Sequence, residues 1–145
     1  MIIRIIQKDD DYVSIGDLVE DLKKSQKVDE AGAIYSFEGF VRGQEENLTV
    51  EKLILTTPDV DKAKEDIKSI IETAKVKFGV FDINVVHYIG EFYTGDPLFL
   101  VSVLGPHRGE TLKALSEVVE RVKHEVDFKK EEVSNQGTKT IMAGG

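Results

Sequence analysis

The chain has no cysteine. Disulfides, thiolate nucleophiles and zinc sites built on sulphur are therefore excluded. Only three histidines are present, at 87, 107 and 124, and their spacing matches no metal motif. No apolar run approaches the roughly 20 residues of a membrane span. The first residues, MIIRIIQKDDDYV, turn acidic too early for a signal peptide. A soluble, cytoplasmic protein is the expectation. Basic charge is also in deficit, with 19 Lys and Arg against 27 Asp and Glu and a net charge of -8. That balance argues against non-specific nucleic-acid binding, which depends on neutralising phosphates. The P-loop, Gly-x-Gly-x-x-Gly and Gly-x-Ser-x-Gly patterns are missing too.

What is present reads as strands and helices. Residues 2–6 form a short apolar strand, and Ser14 is placed to cap a helix beginning at Ile15. Residues 31–43 and 48–57 alternate as strands. Asp59 opens a second helix that Gly79 ends. Residues 80–89 and 98–104 are strands, the latter apolar enough to be covered on both faces. A third helix follows Arg108, with Leu112, Leu115, Val119, Val122 and Val126 as its apolar stripe. Residues 133–145 read as an irregular tail with at most one late strand, and the final Gly144-Gly145 as coincidence. The order β-α-β-β-α-β-β-α indicates an α+β domain rather than a doubly wound sheet. One domain over residues 1–145 is expected from the length.

The residues that stand out are cationic. His107 and Arg108 follow a Gly-Pro turn at a helix start, where free backbone N–H groups favour anions. Lys123 and Lys130 are seven residues apart. They share one face if the helix continues that far. Arg42 ends a glycine-rich strand. Each has a plain alternative as a solvated surface charge, since residues 108–130 mix six basic with five acidic side chains. His87 shares a strand face with Ile83 and Val85, as a structural histidine would.

Taken in order, GAIYSFEGFVRG, VVHYIGEFYTGDPLFLVSVLGPHRGETLKAL and VKHEVDFKKEE resemble the large, catalytic subunit of molybdopterin synthase, the MoaE family, across roughly residues 31–132. The resemblance implies an α/β-hammerhead-type domain with an added β-rich subdomain. It implies a sulphurtransferase that places two sulphurs, as a dithiolene, on cyclic pyranopterin monophosphate. The sulphur would come from the thiocarboxylated C-terminal glycine of a small ubiquitin-like partner. The large subunits would form a homodimer within a heterotetramer, with no cofactor and no metal. Carried over by position, Lys123 and Lys130 are catalytic, and Arg42, His107 and Arg108 bind substrate. Where the family often has Pro-Phe-Trp-Lys-Lys, this chain has Asp127-Phe128-Lys129-Lys130-Glu131. Losing that proline lets the third helix run further. Ungapped spacing selects Lys130 over Lys129, and Glu132 matches the family's following glutamate. The altered segment also motivates an alternative, a non-catalytic dimeric binding module that keeps the partner surface.

Overall fold

A computed structural model of the chain describes residues 1–45 and 47–141. Strand β1 (Ile3–Gln7) leads to helix α1 (Ile15–Lys23), then strands β2 (Ala33–Phe40), β3 (Gln44–Glu45) and β4 (Leu48–Thr56). Helix α2 (Val60–Phe78), strands β5 (Asp82–Phe92) and β6 (Pro97–Gly105), and helix α3 (Arg108–Glu125) follow. Strands β7 (Lys129–Ser134) and β8 (Gly137–Ile141) complete the described chain.

The helix starts are set by side chains. Ser14 Oγ accepts the Asp17 N–H at 3.0 Å, and the Asp17 carboxylate accepts the Ser14 N–H at 2.9 Å. This reciprocal capping box satisfies two amides that α1 leaves open. Asp59 caps α2 through the Lys62 N–H, and Gly79 ends it at φ 66°. Both positions follow from the sequence as expected.

The strands join in the order β2-β6-β5-β4-β7-β8, with β1 parallel to β5 and β3 paired to β4. Strand β5 bridges two regions. Residues 82–87 pair with β6, whereas residues 90–92 pair with β4. The first region carries the helices. Odd-numbered β5 and β6 side chains, including Ile83, Val85, Val101 and Val103, pack under Ile67 and Ile71 of α2 and Val118 and Val122 of α3. Even-numbered Val86 and Leu100 face Leu18 of α1 with Phe92. Both faces of the central strands are thus buried, which explains their unbroken apolar runs. Each such aliphatic side chain contributes roughly 1.5–3 kcal/mol. Strands β3, β4, β7 and β8 make the second, β-rich region. The α+β class and its β-rich addition stand as expected.

Three expectations are corrected. The tail is not irregular as far as it is described: residues 129–134 and 137–141 form an antiparallel hairpin whose first strand pairs with β4. Gly137 at φ 106° makes the turn. The charged run Lys-Lys-Glu-Glu hid the strand, because only its even-numbered members point inward. Next, α3 does not reach Lys130. Val126 is extended (φ -83°, ψ 137°) and buried, and the Phe128 N–H bonds the Val126 carbonyl at 2.9 Å. Burial of Val126, with Phe128 packed on the same core, ends the helix that a missing proline left open. Lastly, Leu112 is 49% exposed, and Thr111 and Ala114 take the inward positions. The reading of Gly144-Gly145 lies outside the described residues.

Gly105 closes β6 where the chain turns towards His107. A Cβ there would fall 2.1 Å from Thr111 Oγ1 and 3.1 Å from Val80. The Thr111 hydroxyl donates to the His107 carbonyl and locks the first turn of α3. Gly105→Ala is expected to force this buried hydroxyl aside and cost about 1–3 kcal/mol. A urea titration of both proteins measures the loss.

Candidate functional site

A pocket opens between the end of α3, the start of β6, the end of β2 and the inner face of β4 and β7. Three cations reach it: Arg42, Lys123 and Lys130. Its walls are largely apolar and aromatic, with Phe37, Phe99 and Phe128 among them. His87 and Glu132 also line it.

Each cation is delivered by a different element. Arg42 follows β2, and the backbone around it is pinned. The Val41 N–H bonds the Asp96 carbonyl at 3.0 Å, and the Gly95 N–H bonds the Val41 carbonyl at 2.9 Å. Gly43 lets the 93–97 turn close in, since a Cβ there would meet Thr94 Oγ1 at 2.6 Å. Lys123 lies in the last turn of α3, where the negative end of the helix dipole favours a cation. Lys130 sits on β7 opposite Leu55, with Glu132 two residues on opposite Leu53. Lys130, Glu132, Leu53 and Leu55 therefore share one face of the sheet. Lys129 points away, with a side chain 60% exposed and paired to Glu131 at 2.9 Å. The strand pleat thus selects Lys130 over Lys129, and it replaces the expected helical face as the reason Lys123 and Lys130 meet.

His87 is a structural histidine that also forms part of the wall. Its ring stacks on Phe128 with centroids 4.1 Å apart and lies 5.0 Å from Phe99. Nδ1 bonds the Tyr88 carbonyl at 2.9 Å, so Nδ1 carries the hydrogen and Nε2 is an acceptor. Burial, chiefly, and the nearby Lys130 charge push its pKa down to about 4, against the pull of the Tyr88 carbonyl. The unfolded chain binds this proton near pH 6.5, whereas the folded chain resists it until about 4. Stability attributable to His87 is therefore present above pH 6.5 and is lost as pH falls towards 4, by about 3 kcal/mol. His87→Phe, which keeps an aromatic ring against Phe128, is expected to lose less stability between pH 7 and 4.5 than the parent. Denaturant midpoints across that range check it.

His107 and Arg108 are not in this pocket. They line a separate shallow cleft with Gly32, Pro106 and Gly109. Lys123 follows Arg108 by fifteen residue steps of one helix, which puts them about 22 Å apart along α3. The sequence brought the pair and the lysines into one stretch, but the helix holds them at opposite ends. His124 is exposed and bonds the Glu120 carbonyl at 2.7 Å. Among the described residues no group of acidic and histidine side chains could hold a metal, and no helix is long and apolar enough to cross a membrane.

Sequence reasoning did not single out Phe128, nor Glu132 as a pocket group. The signal was there: Phe128, Lys130 and Glu132 alternate with the period of a strand, but a helix was expected to extend over the first two. The assembled pocket suits a flat, anionic molecule. Cations can hold its negative groups, aromatic rings its faces, and a lysine can move a proton or stabilise an oxyanion.

Comparison with known proteins gives a consistent result. A family model described as MoaE protein matches residues 10–125. The molybdopterin synthase catalytic subunit of Pyrococcus abyssi is 35% identical over 106 residues, covering 73% of this chain and 71% of that protein. The crystal structure of molybdopterin synthase from Staphylococcus aureus superposes with a TM-score of 0.81 at 23% identity, covering 96% of each chain. A protein–protein complex of subunits 1 and 2 of molybdopterin-converting factor from Helicobacter pylori 26695 gives 0.70 at 23% identity, covering 97% of this chain and 89% of that one.

Proposed function

The chain belongs to the MoaE family, and we propose on that footing that it is the catalytic subunit of a molybdopterin synthase, acting in the cytoplasm as a single domain. It moves two sulphurs from the thiocarboxylated C-terminus of a small carrier subunit onto cyclic pyranopterin monophosphate. The observation that carries this reading is the convergence of Lys123, Lys130 and Arg42, from three different elements, on one pocket.

In each transfer the carrier's sulphur forms a bond to a substrate carbon as a C–O bond at that carbon breaks, the oxygen leaving as water at one carbon and with the phosphate, as its ring opens, at the other. Water then attacks the acyl carbon, the acyl C–S bond breaks, and the carrier leaves as a carboxylate. Negative charge develops on the acyl oxygen at that step. Lys123 stabilises it and supplies or removes the proton, and Lys130 supports the same charge. Arg42 holds the phosphate, as a planar guanidinium suits two phosphate oxygens.

His107 and Arg108 serve the same substrate from a second copy of the chain. Within one chain they stand about 22 Å from Lys123, too far to touch one small molecule. A homodimer, with each protomer's α3 start at the other's pocket mouth, brings the pair to the phosphate. Leu112, exposed one turn after Arg108, supplies apolar surface for that contact.

The alternative of a non-catalytic module rests on the altered 127–131 segment. The pocket favours the enzyme: Phe128 and Lys130 both face inward despite the changed neighbours. Reconstitution decides. Purified protein, thiocarboxylated carrier and precursor are expected to yield a dithiolene product. Carrier binding without product would identify the module instead.

A further inference from the structure

Glu132 is the one acidic side chain lining the pocket among the described residues. It is 6% exposed. Its carboxylate makes no hydrogen bond or ion pair among the described residues, and its position on β7 opposite Leu53 aims it into the cavity. Its oxygens are not sealed off: Ser102 Oγ is the one fully buried side-chain polar atom without a partner among the described residues, so the Glu132 carboxylate opens onto the cavity, where an aliphatic side chain would otherwise fit. A carboxylate kept there awaits donors from a ligand. The cations answer the phosphate, but the other end of the substrate is a 2-amino-4-oxopyrimidine ring. That edge presents two parallel N–H groups, from the ring nitrogen and the exocyclic amine. A carboxylate accepts both at once, in the fork geometry that makes guanidinium–carboxylate pairs strong.

We propose that Glu132 reads the aminopyrimidinone edge of the pterin, fixing which end of the substrate enters the pocket first. Within the proposed reaction this makes Glu132 a specificity-determining binding residue, and the inference rests on that reading for the substrate. It accounts for the sign of the charge: a second phosphate-holding group at this position would be Lys or Arg. It also accounts for the burial. A site built to bond a particular N–H discriminates sharply against an analogue lacking it, since the buried acceptor is then left bare.

The test needs no sulphur transfer. Binding of pterin (2-amino-4-oxopteridine) and of lumazine (2,4-dioxopteridine) to the purified protein is followed by ligand fluorescence. Lumazine replaces the amine with a carbonyl oxygen, which faces the carboxylate as like against like. The parent protein is expected to prefer pterin by roughly thirtyfold, and Glu132→Gln to lose most of that preference. Glu132→Asp, which keeps the charge but retracts it, is expected to fall between the two. Equal binding of pterin and lumazine by the parent would overturn the proposal, as would no binding of either. So would a Glu132→Gln protein with the preference intact. Should Glu132→Gln not fold, the parent's own preference and the Glu132→Asp value still decide. Pterin preference without dithiolene formation would leave this inference standing while the proposed reaction fails.

Discussion

Lys123→Ala is expected to lower turnover about 10²- to 10³-fold in the reconstituted reaction, with the fold intact. The size follows from the environment. Lys123 is exposed overall but lines a pocket walled by Phe37, Phe99 and Phe128, and losing one charge-stabilising group from such a site costs about that factor. The intact fold follows from the exposure of Lys123, since surface changes of this kind usually stay within about 0.5 kcal/mol. Lys123→Arg separates two ways of acting. Arginine keeps the charge but does not release a proton at neutral pH. If Lys123 only stabilises an oxyanion, the arginine variant recovers much of the activity. If it transfers a proton, the arginine variant stays near the alanine level. Binding of the carrier, measured on the same proteins, is expected to change little. A Lys123→Ala protein with parental turnover would remove Lys123 from the mechanism.

How much of this was legible beforehand depends on which force set each element. Ser14, Asp59 and Gly79 mark helix ends through local hydrogen bonds and a positive φ, so a single chain segment carries the signal. The β5 and β6 runs are apolar because both faces are covered, and that too reads directly. Strand β7 was different. Its inward residues Lys130 and Glu132 are charged, since a binding pocket rather than a core lies beneath them. A rule that equates buried with apolar misses a strand that lines a site. The end of α3 was also misjudged, because Val126 stops the helix through tertiary burial and no local breaker is present. Site residues fared unevenly for a related reason. The match of spacing to a family nominates residues, but it carries no information about which copy of the chain they would serve. Only the length of α3 does that.

That length leads to a direct test with mixed dimers. Arg108→Ala and Lys123→Ala are each expected to be nearly inactive alone. Co-expressed and allowed to assort, they form dimers of both kinds, and about half carry one chain of each type. In such a dimer one pocket combines both defects. The other combines the intact Lys123 of one chain with the intact Arg108 of its partner. Activity is therefore expected to return to about a quarter of the parent's when the pair acts across the dimer. If Arg108 served its own chain's pocket, every pocket would carry one defect and nothing would return. The outcome cannot be imitated by a partly folded variant, because each inactive chain must supply a working half. Tandem tags on the two chains allow the mixed dimers to be isolated, and there the expected value rises to about half. Recovery at that level would set His107 and Arg108 at the mouth of a neighbour's pocket, at the far end of the same helix that carries Lys123 into its own.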